Sequence, residues 1–154
     1  MRKTLDLLYS HPTKFAVLTR GSFHRPSYTA RVQTDGSFSV KYKPISRTAI
    51  ILTTSKGDQH SLCTTYFDHK NHVESEWCSV LEGIKYSLKK DQDAIELEND
   101  NLGVINSLVN HRIPRHSYLS DYYLMIYKYL PQFEYVGIRW IPRELNRADD
   151  LFRI

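Results

Sequence analysis

The sequence predicts an α/β fold with one mixed β-sheet flanked by helices. Three observations carry this: three strand-like segments joined by short turns within residues 30–67, a long amphipathic helix directly after them, and a further alternation of strand and helix up to Ile141. At 154 residues the chain fits one domain with a real core.

Residues 30–40 and 47–55 and Ser61–Phe67 are rich in β-branched and aromatic residues and read as strands, with Gly57-Asp58 marking the turn between the last two. Short connections make these three an antiparallel meander. Asn71 with Glu74 three residues on has capping-box form, and Val73, Trp77, Val80, Leu81, Ile84 and Leu88 give the helix that follows one apolar stripe. Ala94–Glu98 alternates as a strand, and Leu102–Val109 reads as a short helix. Leu119, Tyr122, Tyr123, Ile126, Tyr127 and Leu130 recur at helical spacing until Pro131 stops that helix. Phe133–Ile141 is a further strand, and Asp149–Ile154 at most a short terminal helix. The order βββαβααβα calls for five strands, the first three antiparallel and the later ones added in parallel through helical crossovers.

The first 28 residues precede this pattern and are too few for a core of their own. They read as an appendage (1–28) packed on a domain at 29–154, with an additional edge strand as one option. Hydrophobic residues make up 41% and charged residues 25%, as in an ordinary globular protein. No stretch has the length and apolarity of a membrane span, and Asp6 breaks the N-terminal apolar run, so an intracellular, cytoplasmic protein is expected. Cys63 and Cys78 have no metal-ligand spacing and are expected to be buried thiols. His69 and His72 lack a third partner, so zinc is not expected. The tyrosines from Tyr118 to Tyr129 are expected to pack along one helix. The net charge of +4 fits, weakly, a polyanion-binding surface away from the acidic positions.

Four acidic positions stand out: Asp35 in Thr34-Asp35-Gly36-Ser37, Glu76 in Glu74-Ser75-Glu76-Trp77, Asp100 in Glu98-Asn99-Asp100-Asn101, and Asp149-Asp150. Each has a plainer reading. Asp35-Gly36 is also a hairpin-turn signal, Asp100 or Asn99 can cap the next helix, and Asp149-Asp150 can cap a terminal turn. Glu76 and Glu74 lie about 90° and about 70° to either side of the centre of their helix's apolar stripe, so the helical wheel does not choose between them. As an ordered set, at strand, helix, strand and helix, the carboxylates can converge. A cluster of them is costly unless a hard cation neutralises it.

In these segments the chain resembles the type 1 ribonucleases H and their retroelement relatives, over about Arg31 to the C-terminus. Thr34-Asp35-Gly36-Ser37 is similar to the family's first-strand motif, and Val73–Trp77 with Leu81 and Gly83-Ile84 to its first-helix motif. Asn99–Ile105 is similar to its fourth-strand-to-helix motif. Trp140–Asn146 followed by Ala148-Asp149-Asp150-Leu151 resembles its final loop and helix.

The resemblance implies a ribonuclease H-like sheet with its first strand central and the fourth beside it. It also implies a metal-dependent endonuclease that hydrolyses the RNA strand of RNA/DNA hybrids, using two Mg²⁺ ions, or Mn²⁺ in their place. Asp35, Glu76, Asp100 and Asp149 would be the catalytic metal ligands. Gly36, Ser37, Asn71, Glu74, Asn101 and Arg143 would contact substrate, Gly36 by letting the RNA backbone approach. Direct counting from Asn146 favours Asp150 as the fourth ligand, whereas the Ala-Asp-Asp-Leu match favours Asp149, which is the reading adopted.

The chain departs from the family pattern at three places. His72-Val73 replaces a usual polar pair, Arg143 or Glu144 stands where many members carry a loop histidine, and a basic protrusion is missing between the two later helices. Two other functions are weighed. One is a DNA-acting, integrase-like enzyme of the same fold using Asp35, Asp100 and Glu134; the other is a non-catalytic hybrid-binding module. A monomer without a membrane partner is expected.

Overall fold

The computed structural model describes residues 15–17 and 24–153. Strands β1 (Phe15–Val17), β2 (Ala30–Ser39), β3 (Ile45–Thr53) and β4 (Gln59–Tyr66) precede helix α1 (His72–Lys89). β5 (Ala94–Asn99), α2 (Leu102–Val109), α3 (Ser117–Tyr129) and β6 (Tyr135–Trp140) follow, and the chain closes in 3₁₀ turns at Arg143–Leu145 and Arg147–Arg153.

One sheet runs in the order β1-β6-β5-β2-β3-β4. β2, β3 and β4 form the antiparallel meander, while β5 joins β2 and β6 joins β5 in parallel. These five strands are the predicted mixed sheet. The sixth, β1, pairs antiparallel with β6, so part of the appendage enters the sheet as the edge strand that the sequence left as an option. Strands β3 and β4 begin and end about two residues earlier than read from the sequence, with Gly57 at φ 91 in the turn between them. A left-handed backbone there suits a residue without Cβ.

The helix-side core joins Val32, Ile50, Leu52, Ile95, Leu97 and Ile138 of the sheet to Trp77, Val80 and Ile84 of α1 and to Ile105, Leu108 and Ile126 of the later helices. α1 lies very close on β2. A Cβ on Gly83 would stand 2.5 Å from Thr34 Cγ2, and one on Gly36 would stand 2.5 Å from the Ser75 carbonyl carbon. Two glycines, one on each element, therefore set the depth at which α1 seats. Val73, read as part of the buried stripe, is 42% exposed, at the second residue of α1.

The other sheet face is polar near β5, where Glu96 and Glu98 are paired with Arg25, Arg31 and Arg139. Nearer β3, Ala49 and Ile51 pack under Ala148, Leu151 and Phe152. The terminal segment, Arg147–Arg153, is a 3₁₀ turn rather than an α-helix. Cys78 is buried as expected, but Cys63 is exposed, because it lies on the outermost strand. The tyrosines of α3 pack against the core.

Candidate active site

The parallel pairing of β2 with β5 sets Gln33 beside Glu98, so the same register brings Asp35, midway along β2, beside Asp100, which directly follows the end of β5. Neighbouring strands are about 4.8 Å apart, which suits a shared cation. α1 crosses β2 at Gly36 and delivers Glu76. One carboxylate oxygen from each of Asp35, Glu76 and Asp100 lies within 4.8 Å of the others.

Backbone and side-chain hydrogen bonds hold the three in place. Gly36 N–H donates to Glu76 Oε1 at 2.8 Å and to Asp35 Oδ1 at 3.0 Å. Buried Asn146 donates from Nδ2 to the Thr34 carbonyl at 2.8 Å and to Asp100 Oδ2 at 3.3 Å, while its Oδ1 accepts from Ala148 N–H. Asn146 thereby ties β2, Asp100 and the C-terminal turn together. Asn99 donates to both the carbonyl and hydroxyl of Thr34, and Trp140 Nε1 donates to the Asp100 carbonyl.

Burial raises the Glu76 carboxyl well above the usual carboxylate range, and the adjacent Asp35 charge adds to this. Asp35 is raised for the same first reason, partly offset by its hydrogen bond with Glu76. Asp100 is raised by burial too, with the Asn146 hydrogen bond and Arg143 working against it. Glu76 Oε2 is buried without a hydrogen-bond partner. A buried carboxyl oxygen without a partner, among all-oxygen donors, is what a hard divalent cation satisfies, so these residues fit such an ion.

The cleft around this cluster has a volume of ≈ 260 Å³, and Gly36, Ser37, Phe38, His72, Arg143 and Asp149 share its lining with the three acids. Asp149 therefore stands at the cleft, outside the 4.8 Å group, and its carboxylate is paired with Arg153 at 2.9 Å. Asp150 is 70% exposed against 18% for Asp149, because successive side chains of the tight turn diverge.

Of the expected substrate contacts, Gly36, Ser37 and Arg143 line the cleft. The structure gives Gly36 a different reason for lacking a side chain: the space a Cβ would fill is taken by the backbone of α1. The remaining three are engaged locally. Asn71 caps α1 and donates to Tyr118; Glu74 accepts from Lys70 N–H and from the Tyr122 hydroxyl; Asn101, rather than Asn99 or Asp100, caps α2. The choice between Glu74 and Glu76 thus falls to Glu76.

The residue reading did not assign His72, Phe38 or Asn146 to the site. His72 Nε2 lies 3.8 Å from Glu76 Oε1, and their spacing of four on one helix is the signal that could have found it. Glu134 sits elsewhere. Its neighbour Tyr135 pairs with Ala94 at the start of β5, whereas Asp100 follows the end of β5, so Glu134 belongs to the opposite end of the sheet from the acid cluster. The integrase-like acid set does not assemble.

Residues 33–152 match the family model described as reverse transcriptase-like. No curated protein sequence matches significantly. Among solved structures, RNase H1 of the halophilic archaeon Halobacterium salinarum superposes with a TM-score of 0.72 at 20% identity, covering 80% of this chain and 93% of that one. LC11-RNase H1 in complex with an RNA/DNA hybrid gives 0.68 at 18% identity, over 80% and 93%. The foamy viral protease-reverse transcriptase in complex with an RNA/DNA hybrid gives 0.65 at 16% identity, over 89% of this chain and 21% of that one. With the family model spanning the meander, α1 and the closing turns, and with the mixed five-strand sheet of β2 to β6 superposing on these structures, the chain belongs to the reverse transcriptase-like family of the ribonuclease H fold.

Proposed function

We propose that the protein is a metal-dependent endonuclease that hydrolyses the RNA strand of RNA/DNA hybrids. The observation that carries this reading is the convergence of Asp35, Glu76 and Asp100 within 4.8 Å, from three different segments, where β5 ends beside the middle of β2. Such a concentration of buried carboxylates opposes folding and is retained where a cation is to be held.

Asp35, Glu76 and Asp100 would hold the divalent ions, two Mg²⁺ or Mn²⁺, with Asp149 completing the set from the C-terminal turn. Bound there, the ions supply an activated water and stabilise the departing 3′ oxygen. The chain's own part is positioning. Gly36 N–H fixes the relative placement of Asp35 and Glu76, and Asn146 and Trp140 fix Asp100. Arg143 and His72 on the rim face the phosphates flanking the cut, Arg143 as a fixed cation. Ser37 supplies a hydroxyl beside the strand backbone.

The hybrid as substrate is drawn from the family, from the resemblance in the motifs, and from neighbours solved with that ligand. Residues 29–154 would form the nuclease unit, acting as a monomer in an intracellular setting, with 1–28 as an extension that lends β1 to its sheet.

The test is cleavage of matched RNA/DNA, RNA/RNA and DNA/DNA duplexes with Mg²⁺ and with chelator. Metal-dependent cutting confined to the RNA of the hybrid is expected. Cutting of DNA/DNA would favour the DNA-acting alternative, and hybrid binding without cleavage a purely binding module.

A further inference from the structure

β4 closes one side of the sheet, and among the described residues it has a strand neighbour only in β3. This edge is unguarded. Its register with β3 runs without a bulge from Ser46 opposite Tyr66 to Thr53 opposite Gln59, and Gln59–Tyr66 contains neither proline nor a charged residue. Sheet edges are ordinarily blunted by charge, proline or a bulge, because their free N–H and C=O groups pair with any extended chain.

Beside this edge runs a groove. Leu62, Thr64 and Tyr66 of β4 form one wall, and Lys85, Tyr86 and Lys89 of α1 form the other. Leu62 is 37% exposed. Glu82 also borders the groove, but its carboxylate is engaged by the Thr48 hydroxyl and the Cys78 thiol. Lys90 stands over the Tyr86 ring, adding a third cation on the same side. The groove is therefore apolar at its floor and positive at its rim.

We infer that β4 and this groove bind an extended acidic peptide segment as an added strand. Main-chain hydrogen bonds form with β4, and the side chains at every second position of the added strand face α1, where apolar ones lie between Leu62, Tyr66 and Tyr86 and acidic ones meet Lys85 and Lys89. The lysines decide the occupant. A second copy paired about a two-fold axis would set Lys85 and Lys89 against their own equivalents on the same sheet face, and β4 carries no acid to offset them. Lys85 lies nine residues beyond Glu76 on α1, about 14 Å along the helix at its usual rise. The surface is thus separate from the carboxylate cleft and does not depend on the nuclease reading.

The probe is an eight-residue peptide matching the length of β4, in which the four side chains that face α1 are valine and glutamate in turn and the other four are threonine. Controls are the same peptide with lysine for glutamate and one with alternate backbone nitrogens methylated. The full chain is titrated with each, following affinity and amide exchange. The valine–glutamate peptide is expected to slow exchange in β4, and the methylated one to fail. The K85E/K89E variant should bind the valine–glutamate peptide roughly tenfold more weakly, as two exposed ion pairs allow, and should favour the lysine peptide. Cleavage of RNA/DNA hybrid by this variant should stay unchanged.

Four results would each overturn the inference: no slowing in β4, equal binding of both charge types, dimers whose formation protects β4, or β4 amides already protected on their outer side in the free monomer. The third would assign the edge to a second copy, and the fourth to the chain itself.

Discussion

Replacing Glu76 with glutamine should make the metal-free protein more stable while removing its activity. Glu76 and Asp35 are buried, with ligand oxygens no more than 4.8 Å apart. Two full charges at that separation repel by about 3 kcal/mol at an effective dielectric near 20. Protonation relieves part of this, leaving a gain on the order of 1–3 kcal/mol for the uncharged isostere. Glutamine keeps the acceptor for Gly36 N–H and turns the orphaned Oε2 into a donor toward Asp35.

The pH dependence follows from the direction of the shifts. Both carboxyls have folded-state values raised above their unfolded ones, so the folded state binds more protons than the unfolded state between the two values. The contribution of these groups is therefore most favourable below the unfolded value and is lost as pH rises through the folded one. Thermal denaturation in chelator should show Glu76→Gln melting about 2–8 °C above the parent at pH about 8, with the gap narrowing toward pH about 4. Added Mg²⁺ should raise the melting temperature of the parent and much less that of the variant. A variant that melts below the parent in chelator near pH 8, or that gains as much from Mg²⁺, would refute the reasoning.

Asp149→Asn should slow hybrid cleavage by about 10²-fold and Asp150→Asn by no more than about twofold, since only Asp149 lines the cleft; the reverse ranking would assign Asp150 as the ligand. Neither should unfold the protein, because each loses only an exposed-side pairing with Arg153 worth at most about 1 kcal/mol. Gly36→Ala should destabilise by about 1–3 kcal/mol and weaken Mg²⁺ binding, because its Cβ would collide with the α1 backbone beside Glu76. Denaturant unfolding and metal titration check both effects, and an unperturbed variant would mean that α1 can lift without moving Glu76. Asn146→Ala strips the bridge between β2, Asp100 and the C-terminal turn, and should cost about 1–3 kcal/mol with a fall in cleavage rate. Equal stability by denaturant unfolding would show that the bridge is redundant.

The sequence by itself determined the alternation of elements and the antiparallel meander, because hydrophobic period and turn chemistry are local properties that survive without tertiary context. Leu102–Val109 appears with the bounds its pattern gives, while the strands moved by a residue or two, since strand ends depend on which neighbours pair. Only the tertiary structure placed Glu76 rather than Glu74 beside Asp35, because two residues flanking an apolar stripe are separated by what lies on each side: Tyr122 and Lys70 on one, Gly36 and Asp35 on the other. It likewise placed Asp149 at the cleft and Asp150 in solvent, a distinction set by how a 3₁₀ turn packs on β3. The role of Asn146 was also hidden, since one amide bridging three segments is a matter of long-range geometry and leaves no periodic trace along the chain.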